Sequence, residues 1–404
     1  MRHSEHINKV CVLGLGYIGL PTAALLASRG LEVHGVDIKE SVVKTINEGK
    51  VHIVEPELDM LVMAATKTGK LVASTQPAEA DVFIIAVPTP LVNEEGPRPL
   101  PCIDFVLKAA RSIAPLVRPG NLVILESTSP VGTTRKVQEI LNENTNLEGV
   151  FIAYCPERVL PGRVISELVE NDRVVGGVNT ASTRRAKEFY DHFVQGTIHQ
   201  SDCETAELVK LSENAYRDVN IAFANELSII AEDCNVNPYK LISLANCHPR
   251  VNILEPGCGV GGHCIAVDPW FIVSSNPSCS RIIRTAREVN DKKTQWVIDR
   301  IVKTYQSLDV EYPKVAICGL SYKPDIDDLR SSPALKIARC LVKRTDATFL
   351  IVEPNLIDCE EFELVSWEIA KLEADLIVRL VAHSEFKETD GISAEKVFLD
   401  FVRI

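Results

Sequence analysis

Lys9-Val10-Cys11-Val12-Leu13-Gly14-Leu15-Gly16-Tyr17-Ile18-Gly19 is an apolar run that passes directly into a glycine turn and then into a helical stretch. Val10 to Leu13 shows no polar alternation, as expected of a parallel-sheet strand covered by helices on both faces. The three glycines, spaced Gly14-x-Gly16-x-x-Gly19, serve different ends. Gly14 permits the tight turn, Gly16 lets backbone approach a pyrophosphate, and Gly19 allows helix to pack closely on strand. The first helical turn, with Tyr17 and Ile18 between the glycines, offers N–H groups and a positive partial charge to an anion. Alone the motif is weak. Asp37 strengthens it, standing 18 residues beyond Gly19 at the end of the next apolar run, where a carboxylate can bind ribose hydroxyls. The same carboxylate would repel a 2′-phosphate, so the expected cofactor is NAD rather than NADP, although Lys39 nearby pulls weakly the other way.

Outward from this segment, short apolar runs at 31–36, 82–87, 122–125, 151–154 and 173–176 alternate with helical stretches, the order of a parallel sheet built from βαβ units. Val87-Pro88-Thr89-Pro90 and Glu126-Ser127-Thr128-Ser129-Pro130 each follow one of these strands. Ligands of open parallel sheets bind beyond the carboxyl ends of the strands, which makes Thr89 and Thr128 candidate cofactor contacts. Ordinary turn chemistry is the plainer alternative for either one. The texture changes at Ser201. Neither Gly nor Pro occurs from Cys203 to Val236, and Ser201 with Glu204 fits a capping box. The pattern predicts a helix of about thirty residues, roughly 45 Å long, of the kind that connects domains or forms a subunit interface. Helix is expected again from Arg281 to about Gln306.

A second α/β unit opens with Lys314-Val315-Ala316-Ile317-Cys318-Gly319-Leu320, echoing Lys9 to Leu15. It continues with a helix over 334–344 and strands at 348–352, 376–378 and 397–399. The expected fold class is α/β: two Rossmann-like doubly wound parallel-sheet domains, 1–200 and 309–404, joined by a long central helix within a helical middle domain, 201–308.

The chain has 404 residues, 46% hydrophobic and 24% charged, enough for two or three globular domains. Its net charge of -12 disfavours nucleic acid as a partner. The polar start, Met1 to His6, lacks the apolar core of a secretory signal, and no apolar stretch approaches the length that spans a bilayer. No membrane association and a cytoplasmic location are expected. The 12 cysteines form no CxxC pair, so most are expected to be small core residues in a reducing compartment. Cys258, His263 and Cys264 lack the spacing of a zinc cluster, and no metal is expected.

Residues of chemical interest gather after Ser201. Lys210, Asn214 and Arg217, spaced i, i+4, i+7, share one face of the long helix. A solvated face is the simple reading. Ala215, Val219, Ala222 and Leu227 on the same helix argue for burial, and a buried Lys or Arg requires a partner such as a ligand. Gly257-Cys258-Gly259-Val260-Gly261-Gly262-His263-Cys264 places four glycines in six positions, which lets backbone lie close to a ligand. Cys264 closes that loop, with Asp268 four residues on. A thiolate at such a place can capture an aldehyde covalently. A last polar cluster, Gly319 to Asp325 with Asp327 to Pro333, lies in the strand-to-helix crevice of the second α/β unit, suited to a nucleotide diphosphate.

With these residues assembled, the chain resembles the UDP-glucose/GDP-mannose dehydrogenase family over essentially its whole length. The most specific stretches are Ile152-Ala153-Tyr154-Cys155-Pro156-Glu157-Arg158-Val159-Leu160-Pro161-Gly162, Tyr216 to Glu226, His248-Pro249-Arg250-Val251-Asn252-Ile253-Leu254 and Gly261 to Trp270. The resemblance implies two successive oxidations of a sugar C6 by NAD, with Cys264 holding the sugar as a thiohemiacetal and then a thioester. It further implies that Lys210 and Asn214 stabilise the oxyanion, that Asp268 assists proton transfer, and that Glu157 is an acid near the reacting carbon. Arg158, Val159, Lys210, Asn214, Arg217, His248, Arg250, Gly261, Tyr322 and Lys323 match positions that hold the UDP-sugar, and Arg330 matches one that reaches the cofactor. Arg250 is expected to enter the neighbouring subunit's site, making the partner a second copy in a homodimer.

The branch most resembled acts on UDP-N-acetyl-D-mannosamine, forming the uronate for surface polysaccharides. UDP-glucose dehydrogenases carry a second acid where this chain has Pro161, and Cys258 stands where the resembled branch has proline. UDP-N-acetylglucosamine or UDP-glucose oxidation is the alternative within the family. A catalytically inactive NAD-binding protein is the alternative outside it, opposed by the joint presence of Cys264, Lys210, Asn214 and Asp268.

Overall fold

A computed structural model of the protein describes residues 7–93, 96, 99–144, 148–388, 392–393 and 395–402, so the expectation drawn from residues 1–6 lies outside them. The chain divides into two compact units, Met1–Ser212 and Glu213–Ile404. The first holds strands β1 (Lys9–Leu13), β2 (Glu32–Val36), β3 (Leu71–Ser74), β4 (Val82–Ile85), β7 (Leu122–Leu125), β8 (Phe151–Tyr154), β9 (Arg173–Gly177) and β10 (Ile198–Asp202) in one sheet, ordered β10-β9-β8-β7-β4-β1-β2-β3. A separate hairpin pairs β5 (Leu91–Val92) with β6 (Leu100–Pro101).

The unbroken apolar strands are explained by burial on both sides. Val10 and Val12 of β1 enter one core cluster with Leu20, Ala24 and Val33, while Cys11 and Leu13 enter another with Phe83, Ile85 and Val106. Each such side chain, fully buried, contributes about 1.5–3 kcal/mol relative to exposure.

The sheet is not wholly parallel. β8 pairs with β9 antiparallel, through Ala153 with Gly177 and Tyr154 with Gly176, and β10 then runs parallel to β9. A parallel neighbour needs a crossover, usually a helix packed on the sheet. The only helix between β8 and β9 is the two-turn Val164–Glu170, and the chain doubles back instead.

The long helix is Cys203–Asp233, 31 residues. Its start corrects the expected capping box. The helix begins at Cys203, so the N-cap position is Asp202 and Ser201 stands one residue too early. Asp202 caps the helix, accepting the Thr205 N–H at 2.7 Å and the Thr205 hydroxyl at 2.9 Å. Glu204 turns to Arg135 instead, at 2.8 Å. The helix ends on Asn235 at φ +56°, with Val236 N–H donating to Ala231 O at 2.7 Å and Asn235 N–H to Glu232 O at 2.9 Å, a Schellman closure.

In the second unit this helix faces helix Arg281–Gln306 through a buried polar chain. Asp218 Oδ1 accepts from Arg287 and from Asn290, both at 2.7 Å. Asn225 donates to Asn290 at 2.9 Å, and its own oxygen takes the Gly257 N–H at 2.9 Å. A buried carboxylate requires such partners. The four-stranded sheet is parallel throughout, ordered β12-β11-β13-β14 from β11 (Lys314–Cys318), β12 (Thr348–Val352), β13 (Leu376–Arg379) and β14 (Val397–Asp400). Val315 and Ile317 face one core, Ala316 and Cys318 the other.

Of the 12 cysteines, the core expectation fits five: Cys11, Cys155, Cys203, Cys258 and Cys318. The other seven are half-buried or exposed. Among the described residues no helix is long and apolar enough to cross a membrane.

Candidate active site

In the first unit the β1 turn has the shape its glycines predict. Gly14 lies at φ +92°, and a Cβ there would meet Ala86 O at 2.6 Å. A Cβ on Gly19 would come within 1.8 Å of Gly14 O. At Gly16 a Cβ would meet nothing within 4 Å, so the backbone there faces open space above the N-terminus of helix Gly19–Ser28. Tyr17 and Ile18 form the entry to that helix. Asp37, half-buried at the end of β2, accepts N–H groups of Leu15 at 3.2 Å and Lys39 at 2.9 Å, which fixes its carboxylate beside the turn. The Thr89 hydroxyl donates to Thr128 O at 2.6 Å, so the two threonine segments meet at the strand ends. An open glycine turn, a helix N-terminus and an oriented acid together fit a dinucleotide.

Glu157, just after β8, is buried. Its Oε1 accepts the Arg158 N–H at 2.6 Å, and its Oε2 lies 3.0 Å from Arg173 in an ion pair without hydrogen-bond alignment. Arg158 is half-buried, with its guanidinium 3.3 Å from Asp172 O, and Val159 packs against the core. The following turn is pinned by Glu55, whose carboxylate takes the N–H groups of Gly162 at 2.9 Å and Val164 at 2.7 Å. On the long helix, Lys210 is half-buried one turn after Glu207. Glu207, fully buried, accepts from Gly132 N–H at 2.6 Å, Thr134 N–H at 2.7 Å and the Thr134 hydroxyl at 2.6 Å. The N-terminus of helix Thr133–Asn144 is thus filled by the protein's own carboxylate.

In the second unit the glycine loop is held from behind by Asn225 at Gly257 and by the Thr294 hydroxyl, 2.8 Å from Cys258 O. Gly261 and Gly262 press on Tyr322: a Cβ on either would lie 2.8 Å from its side chain. Gly262 N–H donates to Arg330 O at 3.3 Å. Cys264, exposed, follows at once. Its carbonyl accepts the Asp268 N–H at 2.8 Å as helix Asp268–Ser275 begins, and Asp268 Oδ2 takes the Asn214 amide at 2.6 Å. The fold therefore brings together Asn214, Gly261, Cys264, Asp268, Tyr322 and the Arg330 backbone. The Arg330 guanidinium forks onto Asp328, and Lys323 is exposed.

Three residues stand apart from this group. Arg217 is exposed, against the expectation that burial of much of the helix would include it; helix Arg281–Gln306 covers the Asp218 side instead. His248 and Arg250 occupy an exposed segment closed at its base by Asn246, which exchanges two hydrogen bonds with Ile253 at 2.9 and 2.8 Å. Arg173, Glu207, Glu55 and Asn225 were not singled out from sequence. Glu207, one turn before Lys210, and Asn225, inside the Tyr216–Glu226 stretch, stood near recognised patterns.

Comparison with known proteins shows the family. Models of the UDP-glucose/GDP-mannose dehydrogenase family match at residues 8–194 (NAD binding domain), 204–292 (central domain) and 316–404 (UDP binding domain). The chain is 51% identical to a UDP-N-acetyl-D-mannosamine dehydrogenase of Campylobacter jejuni, covering 96% of this chain and 98% of that one. It is 50% identical to an NDP-N-acetyl-D-galactosaminuronic acid dehydrogenase of Ralstonia nicotianae, covering 94% and 92%. A solved UDP-N-acetyl-mannosamine dehydrogenase from S. aureus superposes with a TM-score of 0.88 at 38% identity, over 98% of this chain and 99% of that one.

Proposed function

The chain belongs to the UDP-glucose/GDP-mannose dehydrogenase family, with that family's NAD binding domain, and from this we propose that it oxidises UDP-N-acetyl-D-mannosamine at C6 to UDP-N-acetyl-D-mannosaminuronate. The protein is an NAD-dependent oxidoreductase. Bound NAD supplies the hydride acceptor for each of two oxidations. Gly14, Gly16, Tyr17, Ile18 and Gly19 would hold its pyrophosphate, Asp37 its ribose, and Thr89, Thr128 and Arg330 the remainder. We divide the chain into a cofactor domain, 1–200, a central domain, 201–308, and a UDP-sugar domain, 309–404.

The observation that carries the reading is Cys264 at the end of the glycine loop, tied through its carbonyl to Asp268, whose carboxylate holds Asn214. The Cys264 thiolate adds to the C6 aldehyde, forming a C–S bond, and the resulting oxyanion takes a proton. Asn214, with Lys210 one turn before it, stabilises that oxygen. After the second oxidation, water adds to the thioester carbon and the thiolate leaves. Asp268 orients the water and takes its proton, and Glu157 holds the sugar end. Arg158, Val159, Arg217, His248, Gly261, Tyr322 and Lys323 bind the UDP-sugar, and Arg250 completes the site of a second copy. The product would enter surface-polysaccharide synthesis in the cytoplasm.

Near-equal identity to the galactosaminuronate relative supports a second reading, in which the hexosamine has the galacto configuration. Steady-state NADH formation separates the two. UDP-N-acetyl-D-mannosamine should yield two NADH per sugar, with kcat/KM at least tenfold above UDP-glucose, since one unpaired buried polar group costs about 1–3 kcal/mol. UDP-N-acetylglucosamine and UDP-N-acetylgalactosamine belong in the same panel, and a preference for either reassigns the sugar. Cys264→Ala should abolish uronate formation. Uronate at a near-normal rate from that variant would end the thioester mechanism.

A further inference from the structure

The second sheet repeats the first down to its hydrogen bonds. Gly319, at φ +96°, donates to Val352 O at 2.8 Å, as Gly14, at φ +92°, does to Val36 O at 2.8 Å. Glu353, at the end of β12, accepts Leu320 N–H at 2.7 Å and Asn355 N–H at 3.1 Å. Asp37, at the end of β2, accepts Leu15 and Lys39 in the same way. By position, Glu353 is the ribose acid of a second dinucleotide fold.

Its surroundings differ. Asp37 is half-buried next to Ile38, which is 84% exposed, whereas Glu353 is buried. The cover is His383, fully buried, with Nε2 3.1 Å from Glu353 Oε2. His383 Nδ1 accepts the Asp325 N–H at 2.9 Å, so the ring proton is on Nε2 and goes to Glu353. The Asn355 amide also lies 2.9 Å from Nδ1.

These groups hold one turn. Ser321 N–H reaches Glu353 Oε2 at 3.0 Å, and the Ser321 hydroxyl, 3.3 Å from His383 Nε2, donates to Lys323 O at 2.7 Å. Asp325 Oδ1 accepts Ser384 N–H at 2.8 Å and Oδ2 the Ser384 hydroxyl at 2.6 Å. Asp325 sits at φ +59° without being glycine, a strained conformation that persists where neighbours enforce it. Tyr322, Lys323 and Pro324 are the residues between the fixed points.

We propose that the buried Glu353–His383 pair is a positioning device for the Tyr322–Lys323 turn, an acid of dinucleotide type reused as the internal anchor of a uridine-diphosphate site. The pair does not touch the nucleotide. The inference rests on the reading that Tyr322 and Lys323 bind the UDP moiety.

The test is calorimetric titration of the full chain with UDP and, separately, with NAD. His383→Gln loses the acceptor that fixes Asp325 and should weaken UDP binding about tenfold, roughly the loss of one or two net hydrogen bonds. NAD affinity should be unchanged. His383→Asn keeps an acceptor near the Nδ1 position and should recover much of the loss. Ser321→Ala, the mildest change, should show a smaller effect of the same kind. In turnover, KM for the UDP-sugar should rise with kcat retained at saturation. A merely structural role would lower thermal stability and weaken both ligands alike, which overturns the proposal. Wild-type UDP affinity in His383→Gln and Ser321→Ala also overturns it, and the underlying site reading stands if Lys323→Ala still loses UDP. Wild-type UDP affinity in Lys323→Ala and Tyr322→Ala removes both.

Discussion

Glu126 and Glu157 are both buried against Arg173, and one guanidinium cannot neutralise two carboxylates. Burial pushes Glu126 up to about 7; Arg173 opposes the rise, Glu157 adds to it, and the Tyr190 hydroxyl, donating at 2.8 Å, opposes it. Glu126 therefore keeps its proton in the folded protein after the unfolded chain has released it. Between an ordinary carboxyl value of 4.5 and about 7 this group makes stability fall as pH rises, and above that window its penalty is constant. Glu126→Gln cannot ionise, so its melting temperature relative to wild type should improve on going from about pH 5 to about pH 8. An unchanged difference across that range would show that Glu126 is ionised throughout. Of this cluster only Glu157 was legible in the sequence, because Arg173, Tyr190 and Glu126 meet only when β7, β9 and helix Thr180–Tyr190 pack. Gly14, Gly16, Gly19 and Asp37 were legible because their spacing is set by a single turn and one crossover. Cys264 and Asp268 were legible for the same local reason.

At the scale of elements, periodic and unbroken segments declared themselves, and junctions did not. Helix Cys203–Asp233 was readable from the absence of Gly and Pro, but its first turn was not. Ser201 and Asp202 are both good N-cap residues, and only the helix start at Cys203, one residue after Asp202, decides between them. Asp202→Ala should cost about 1 kcal/mol, and Ser201→Ala much less. Urea denaturation of both variants checks the order, and an equal loss would restore the Ser201 cap. The reversed direction of β9 was likewise hidden. Its apolar run reads the same either way, and direction depends on the connection from β8, not on the strand itself.

For the whole molecule, the exposed face of the long helix remains to be accounted for. Tyr216 is 69% exposed, Phe223 56% and Ile230 50%, at intervals of seven residues that keep them on one stripe. Large apolar side chains repeated along a helix mark an association surface, and the proposed occupant is the same stripe of a second copy. Phe223→Glu should shift the sedimenting species towards the monomer and reduce turnover together, since Arg250 is proposed to serve the partner's site. A monomeric wild type, or a variant with unaltered mass, would set that assembly aside. The two Rossmann-like sheets bear on a different count. Two copies of one fold in a chain suggest a capacity for two dinucleotides. Only one copy leaves its acid open; in the other, Glu353 has already spent its lone pairs on backbone and on His383. Equilibrium dialysis should therefore saturate at one NAD per chain. The proposed reaction, which consumes two, would then empty and refill a single berth while the half-oxidised sugar waits on the enzyme, which makes cofactor exchange a natural pacemaker of turnover.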